Sequence, residues 1–181
     1  RNRMKLSKLS LSLLGTLALV SPAAAHVVLD QPMANAGTYY KAVFRVPHGC
    51  EGSPTTSISV RIPEGVISVK PQPKQGWSVK TETAPYAKSY ENHGKQISEG
   101  VVRVTWEGGP LPDDMFDEFA LMMKLPDDKE TMMLFFPVEQ TCAKGSTAWD
   151  EFPAPGADPH SLARPAPSLM LHQGDAHTHH H

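Results

Sequence analysis

The 181 residues carry 17 Lys and Arg against 19 Asp and Glu, a formal net charge of −2, and 40% are hydrophobic. That balance supplies no basic face for nucleic acid, and no apolar segment reaches the ~20 residues that span a bilayer. With an N-terminal leader set aside, the length fits one domain of ordinary size.

Lys5 and Lys8 precede an apolar run from Leu9 to Val20, and Ser21-Pro22-Ala23-Ala24-Ala25 follows as a small-residue cleavage site of the A-x-A kind. Residues 1–25 are therefore expected to be a signal peptide, and the mature chain to be periplasmic or secreted, soluble and without a transmembrane segment. Loss of Arg1, Arg3, Lys5 and Lys8 leaves 13 basic against 19 acidic residues, a balance of −6 before histidine is counted. An acidic surface of this size fits solubility and a mild attraction for cations. Cleavage after Ala25 makes His26 the new chain end. A terminal histidine carries two nitrogen donors on one residue, the α-amine and the ring Nδ1, which can chelate a metal with little ordering between them. Such a claw suits Cu(II), which stands highest in the divalent affinity order and prefers nitrogen and oxygen in a tetragonal plane. The alternative is that the cut merely happens to fall before a histidine.

The mature chain then reads as short strands divided by turn signals. His26 to Asp30 is apolar and β-branched, and Tyr39 to Val46 sets Tyr39, Lys41, Val43 and Arg45 against Tyr40, Ala42, Phe44 and Val46. Thr56 to Ile62 alternates as well, and Pro63-Glu64-Gly65 makes a turn before Val66 to Lys70. Trp77 to Glu82, Val101 to Glu107, Glu118 to Leu125 and Thr131 to Val138 complete eight strands. Residues 84 to 100, with Tyr86, Tyr90 and His93, read as a long polar loop or a ragged hairpin tip. No segment keeps a helical period over three turns. The pattern is that of an all-β sandwich, with Val102, Val104, Phe119 and Leu121 as filling. Met122-Met123 and Met132-Met133 each split between two strand faces, which favours packing over a thioether cluster.

Past Phe152 the composition turns to Pro153, Pro155, Pro159, Pro165 and Pro167 interleaved with Ala and Gly, read as a flexible tail over 154–181. It closes on His177, His179, His180 and His181, a tract that can bind Cu, Zn or Ni or be a purification tag; it is kept as a secondary metal site.

Cys50 and Cys142 both fall in the part expected to be exported, where a pair reads first as one disulfide. Closing a loop of ~90 residues is worth ~4 kcal/mol on the chain-entropy argument. The rival is a thiolate ligand of a blue-copper site, which wants a histidine shortly after the cysteine; the next one after Cys142 is His160, in the Pro-rich stretch. The disulfide would draw the loop Val46-Pro47-His48-Gly49-Cys50-Glu51-Gly52 towards Gln140-Thr141-Cys142 and Thr147-Ala148-Trp149, joining Glu51 and Trp149 in one neighbourhood.

These stretches, with HVVLDQPMANAGTYYKAVFRVPHGCEGS, IPEGV, the turn ending in Trp77, and LPDDMFDEF, resemble the YcnI-like family of bacterial copper proteins over about His26 to Pro153. The resemblance implies an immunoglobulin-like sandwich, cupredoxin-like in its build. It also implies one Cu(II) held by the amine and ring of the terminal histidine, with an acidic side chain and a nearby tryptophan, an arrangement termed a monohistidine brace. Carried onto this chain, the brace is His26, the acid Glu51 and the tryptophan Trp149, with Trp106 and Trp77 behind it. His48 competes as a second imidazole but is more commonly an exposed turn residue; His93 and His160 read as solvated. A hard oxygen with nitrogens, and no thiolate, selects Cu(II) over Cu(I). Both nitrogens must be neutral to ligate, and an amine of reference pKa ~7.7–8.0 makes affinity fall steeply below neutral pH.

Three functions compete. One is an exported Cu(II) chaperone or buffer, non-enzymatic, passing copper to an exported or membrane copper-transport protein. Another is an oxidative copper enzyme of the polysaccharide monooxygenase type, which needs a second histidine that only His48 could supply. The third is a metal-free adhesion or assembly module, since a sandwich does not fix its use. No G-x-S-x-G motif and no Gly-rich phosphate loop occurs.

Overall fold

The computed structural model describes residues 26–158 and 161–174. The expected leader, His160 and the histidines of 177–181 lie outside the described residues.

Twelve strands follow one another: β1 (Val28–Leu29), β2 (Met33–Asn35), β3 (Tyr39–Val46), β4 (Thr55–Arg61), β5 (Ile67–Pro71), β6 (Trp77–Asn92), β7 (Lys95–Leu111), β8 (Asp117–Lys124), β9 (Met133–Phe135), β10 (Val138–Cys142), β11 (Ser146–Trp149) and β12 (Ser168–His172). They form a four-stranded sheet in the order β1-β3-β8-β5, a five-stranded sheet in the order β11-β10-β4-β7-β6, and a three-stranded sheet in the order β2-β12-β9. The first two face one another across the core. Phe119 of β8 meets Trp77 of β6 and Trp106 of β7 edge to face, with ring centroids 5.0 and 5.5 Å apart. Phe44 and Leu121 on one side and Ile58, Val104 and Trp106 on the other are fully buried. Aromatic pairs of this geometry add to the area they bury.

The alternation read from the sequence decides which side chains turn inward. Along β3, Tyr40, Ala42, Phe44 and Val46 are buried while Tyr39, Lys41 and Arg45 are exposed. Val104, Phe119 and Leu121 fill the core as expected; Val102 is half-buried. Met123 is buried and its neighbour Met122 exposed, whereas Met132 and Met133 are both on the surface.

The structure departs from the sequence reading at three places. The stretch 84–100 is the continuation of β6 and β7, paired down to Asn92 opposite Lys95. Its two-residue turn, His93-Gly94, holds both residues at positive φ, 51° and 74°, as a turn matching strand twist requires. The side chains along it are mostly exposed, so no apolar alternation marks it. The expected strand Thr131 to Val138 is two strands, broken at the buried Phe136 and at Pro137, which has no N–H for a ladder.

The third departure is a correction: the segment read as a flexible tail from 154 re-enters the fold. Ser168–His172 pairs parallel with β2 and antiparallel with β9, and buries Leu169 and Leu171 completely. Five alternating residues behind Pro165 and Pro167 give too short a signal to stand out from proline-rich surroundings. Before it, Glu151 N donates to Arg164 O at 3.1 Å and Ala166 N to Glu151 O at 2.9 Å.

Candidate functional site

Strand directions bring four pieces of chain to one end of the sandwich. His26 precedes β1, whose Val28 and Leu29 pair with Arg45 and Phe44. The chain start and the loop that leaves β3 after Val46 therefore emerge together. β8 enters at Asp117 opposite Val46, which adds the loop 112–116. In the facing sheet Thr55 pairs with both Leu111 and Cys142, which adds the turn after β10. Three links cross between these loops. Gly52 N donates to Asp113 Oδ1 at 3.3 Å, Ala143 N to Pro54 O at 2.9 Å, and Lys144 N to Ser53 Oγ at 2.8 Å.

Cys50 and Cys142 are joined as a disulfide with Cα atoms 6.0 Å apart, so the thiolate-ligand alternative falls away. Cys50 also opens a tight turn: its N–H and C=O exchange hydrogen bonds of 2.9 Å with Ser53. The two residues between, Glu51 and Gly52, have φ of 48° and 85°. Gly52 suits that conformation; Glu51 does not, because a Cβ in the left-handed region costs ~1–2 kcal/mol. Gly49 is fixed for another reason, since a Cβ there would lie 2.0 Å from Ser53 O. Glu51 thus sits exposed at the tip of a well-defined turn. Among the described residues no hydrogen bond or ion pair joins it to His26 or Trp149.

Trp149 ends β11, directly opposite Val138, and its indole is buried. Two residues along β10 on the same face stands Gln140, opposite Thr147 and almost wholly inaccessible. The indole Nε1 donates to Gln140 Oε1 at 3.0 Å. The other end of the same amide donates from Nε2 to His48 O at 2.7 Å and to Thr55 Oγ1 at 2.8 Å. Thr55 Oγ1 in turn lies 3.8 Å from Cys142 Sγ. A buried chain of polar groups therefore runs from the tryptophan through Gln140 to the His48 loop and the disulfide.

The His26 ring lies against Trp149, centroids 5.6 Å apart and planes tilted by 58°. Its Nε2 is buried with no hydrogen-bond partner. Buried polar atoms without partners are uncommon and ask for a reason, an absent ion among them. The His48 ring lies half-buried, with Nδ1 2.6 Å from Gly49 O; a proton on Nδ1 would leave Nε2 as the nitrogen with a lone pair.

The structure thus brings His26 and Trp149 into contact, ties the backbone of His48 to them through Gln140, and closes the disulfide beside them. It leaves Glu51 on the same pole but apart. Trp106 and Trp77 belong to the core interface of β7 and β6, as packing residues. His93 is exposed at the hairpin turn, stacked on Tyr39 at 6.3 Å. No group of three or more His, Cys, Asp or Glu able to hold a metal ion occurs among the described residues. A site here would need a donor that side chains do not supply, and the α-amine of a chain starting at His26 is such a donor. Sequence reasoning missed Gln140. The signal was its phase: Val138, Gln140 and Cys142 are the inward positions of β10, so a glutamine there had to be buried.

A family model described as a domain of unknown function (DUF1775) matches residues 26–171. An uncharacterized protein from Nocardia farcinica, whose crystal structure is described as revealing an immunoglobulin-like fold, is 30% identical. The match covers 81% of this chain and 97% of that one, with a TM-score of 0.60. No curated protein matches. The family match reaches residue 171, within β12, in keeping with the strand that the folded part gains there.

Proposed function

The chain belongs to the DUF1775 family, for which YcnI-like is another name, and from that premise we propose that it is an exported Cu(II)-binding protein of copper homeostasis. In this reading it acts as a chaperone or buffer, takes copper through the amine and ring of a terminal His26, and catalyses nothing. The observation that carries the reading is the state of the His26 ring, packed on Trp149 with a buried Nε2 that no protein group satisfies. Leaving such a nitrogen unpaired costs about 1–3 kcal/mol, which a partner gained when the ring takes an ion would offset. Where Nδ1 takes the ion, the proton rests on Nε2, on a ring whose centroid lies 5.6 Å from that of Trp149.

The neighbours suit a divalent cargo. Trp149 limits water on one side of the ring. Turn chemistry would place Asn, Asp or Gly at position 51, so the glutamate has no explanation in the turn itself. As a ligand brought in by movement of the 50–53 turn it would offset the charge of the ion. His48 is the further nitrogen within the same pole. The disulfide, and the lack among the described residues of any helix long and apolar enough to cross a membrane, are compatible with export of the processed chain.

The test is a comparison of two chain starts. Protein beginning at His26 should take one equivalent of Cu(II) and give a paramagnetic resonance spectrum with nitrogen couplings from amine and imidazole. Protein keeping one extra residue before His26 should lose that high-affinity site. Equal binding by both would overturn the claw, and no binding by either would favour a metal-free module.

A further inference from the structure

A glutamine amide has one carbonyl acceptor and two N–H donors in a plane. In Gln140 all three are used inside the protein, on three different elements: Trp149 of β11, His48 in the loop after β3, and Thr55 of β4. The residue is almost fully buried, as is Thr55. For the core alone an apolar side chain would serve, as Val138 does one step earlier on the same face. A fully satisfied buried amide instead specifies a single arrangement of the groups it joins.

We propose that Gln140 is a positioning residue: it holds the Trp149 indole against the His26 ring and fixes the start of the His48 loop to the same point, so that a metal bound at His26 meets a preset surround. The Gln140 amide bonds to Trp149, His48 and Thr55 rather than to the His26 ring. The consequence for copper rests on the reading given above; the consequence for the geometry of the ion-free protein does not. Three bonds of 2.7–3.0 Å converge on one side chain, and the disulfide closes the same loops behind it. Groups that orient a ligand's surroundings in this way change metal affinity by about 10–100-fold when removed.

The experiment uses the chain beginning at His26, as wild type, Gln140→Leu, Gln140→Glu and Ser59→Ala. Ser59 Oγ and Thr105 Oγ1 form a hydrogen bond of 2.9 Å in the same sheet without touching His26, Trp149 or His48, so Ser59→Ala reports the effect of losing a polar contact elsewhere. Two quantities are read: the proton–proton contact between the His26 and Trp149 rings by nuclear magnetic resonance without metal, and the Cu(II) affinity and resonance spectrum with metal. Gln140→Leu should lose the ring contact and bind Cu(II) about 10–100-fold more weakly, with a changed spectrum. Gln140→Glu keeps an acceptor for the indole N–H but has no donor for His48 O, so it should retain the ring contact and still bind more weakly. Ser59→Ala should leave both readouts unchanged. Should Gln140→Leu fail to fold, Gln140→Glu decides the question. An unchanged ring contact in folded Gln140→Leu, or Cu(II) binding by Gln140→Glu equal to wild type, would overturn the inference. If the wild type binds no Cu(II), the copper reading falls, and the metal-free ring contact alone decides whether Gln140 sets the geometry.

Discussion

Trp106 and Trp149 stand in the same five-stranded sheet, both buried and both with the indole N–H paired, yet they are held in different ways. Trp106 donates to the backbone carbonyl of Gln72 at 3.3 Å and packs on Phe119. Trp149 donates to the side chain of Gln140 and packs on His26. A backbone acceptor comes with the topology, whatever residue occupies the position. A side-chain acceptor exists only if that residue carries one, and only an amide such as that of Gln140 also donates to His48 O and Thr55 Oγ1. The centre of the sandwich is therefore specified by shape and alternation, and the pole around His26 by residue identity. Substitutions in the two regions should separate stability from binding.

The largest effect falls at the centre. Trp106→Ala should cost roughly 3–5 kcal/mol of stability in denaturant titration while the Cu(II) spectrum of the remaining folded protein stays that of the wild type; a changed spectrum would join the two regions. Next comes the pole. Replacing Cys50 and Cys142 together by serine frees a loop spanning a sequence separation of 92 and should cost roughly 2–5 kcal/mol. Unlike Trp106→Ala, it should also weaken Cu(II) binding, because the His48 loop is tied there; calorimetry at equal folded fraction checks this.

The smallest effect is a matter of pH. Tyr40 donates to Gln31 O at 2.6 Å, and burial, aided by the charge of Asp30, pushes its phenol up to about 12 from 10.0. A raised folded pKa means the unfolded chain releases the proton first. The stabilisation is whole below pH 10.0 and is lost as pH rises towards about 12. Urea midpoints should fall across that window, less so in Tyr40→Phe. A flat profile in the wild type would show that the phenol is not held protonated. Tyr90, bonded to Glu64 Oε1 at 2.6 Å, is shifted in the same direction.

Much of the centre was legible because period-two alternation is a strong signal where one strand face is apolar: Tyr39–Val46 shows it over eight residues, and β4 and β8 nearly as well. The long hairpin was only half legible, since its exposed outer part alternates nothing apolar and is held instead by backbone pairing and by Glu64, which accepts from Ala87 N and Tyr90 Oη. β12 was hidden by its prolines. At the pole, the nearness of the Cys50 loop to Cys142 followed from counting cysteines alone. The contact of His26 with Trp149 came from the family resemblance and not from spacing, because it bridges edge strands of different sheets. Gln140 stayed unseen because a polar residue beside a cysteine reads as surface until its strand phase is considered.

The parallel pairing of β12 with β2 has a temporal meaning. A chain made N-terminus first completes β2 about 130 residues before β12, and until then the partners of Leu169 and Leu171 wait uncovered. Contacts this distant in sequence form slowly. The domain can therefore reach its finished form only after residues 168–172 have been delivered, and a protein halted before residue 168 would carry an unsealed seam beside β2.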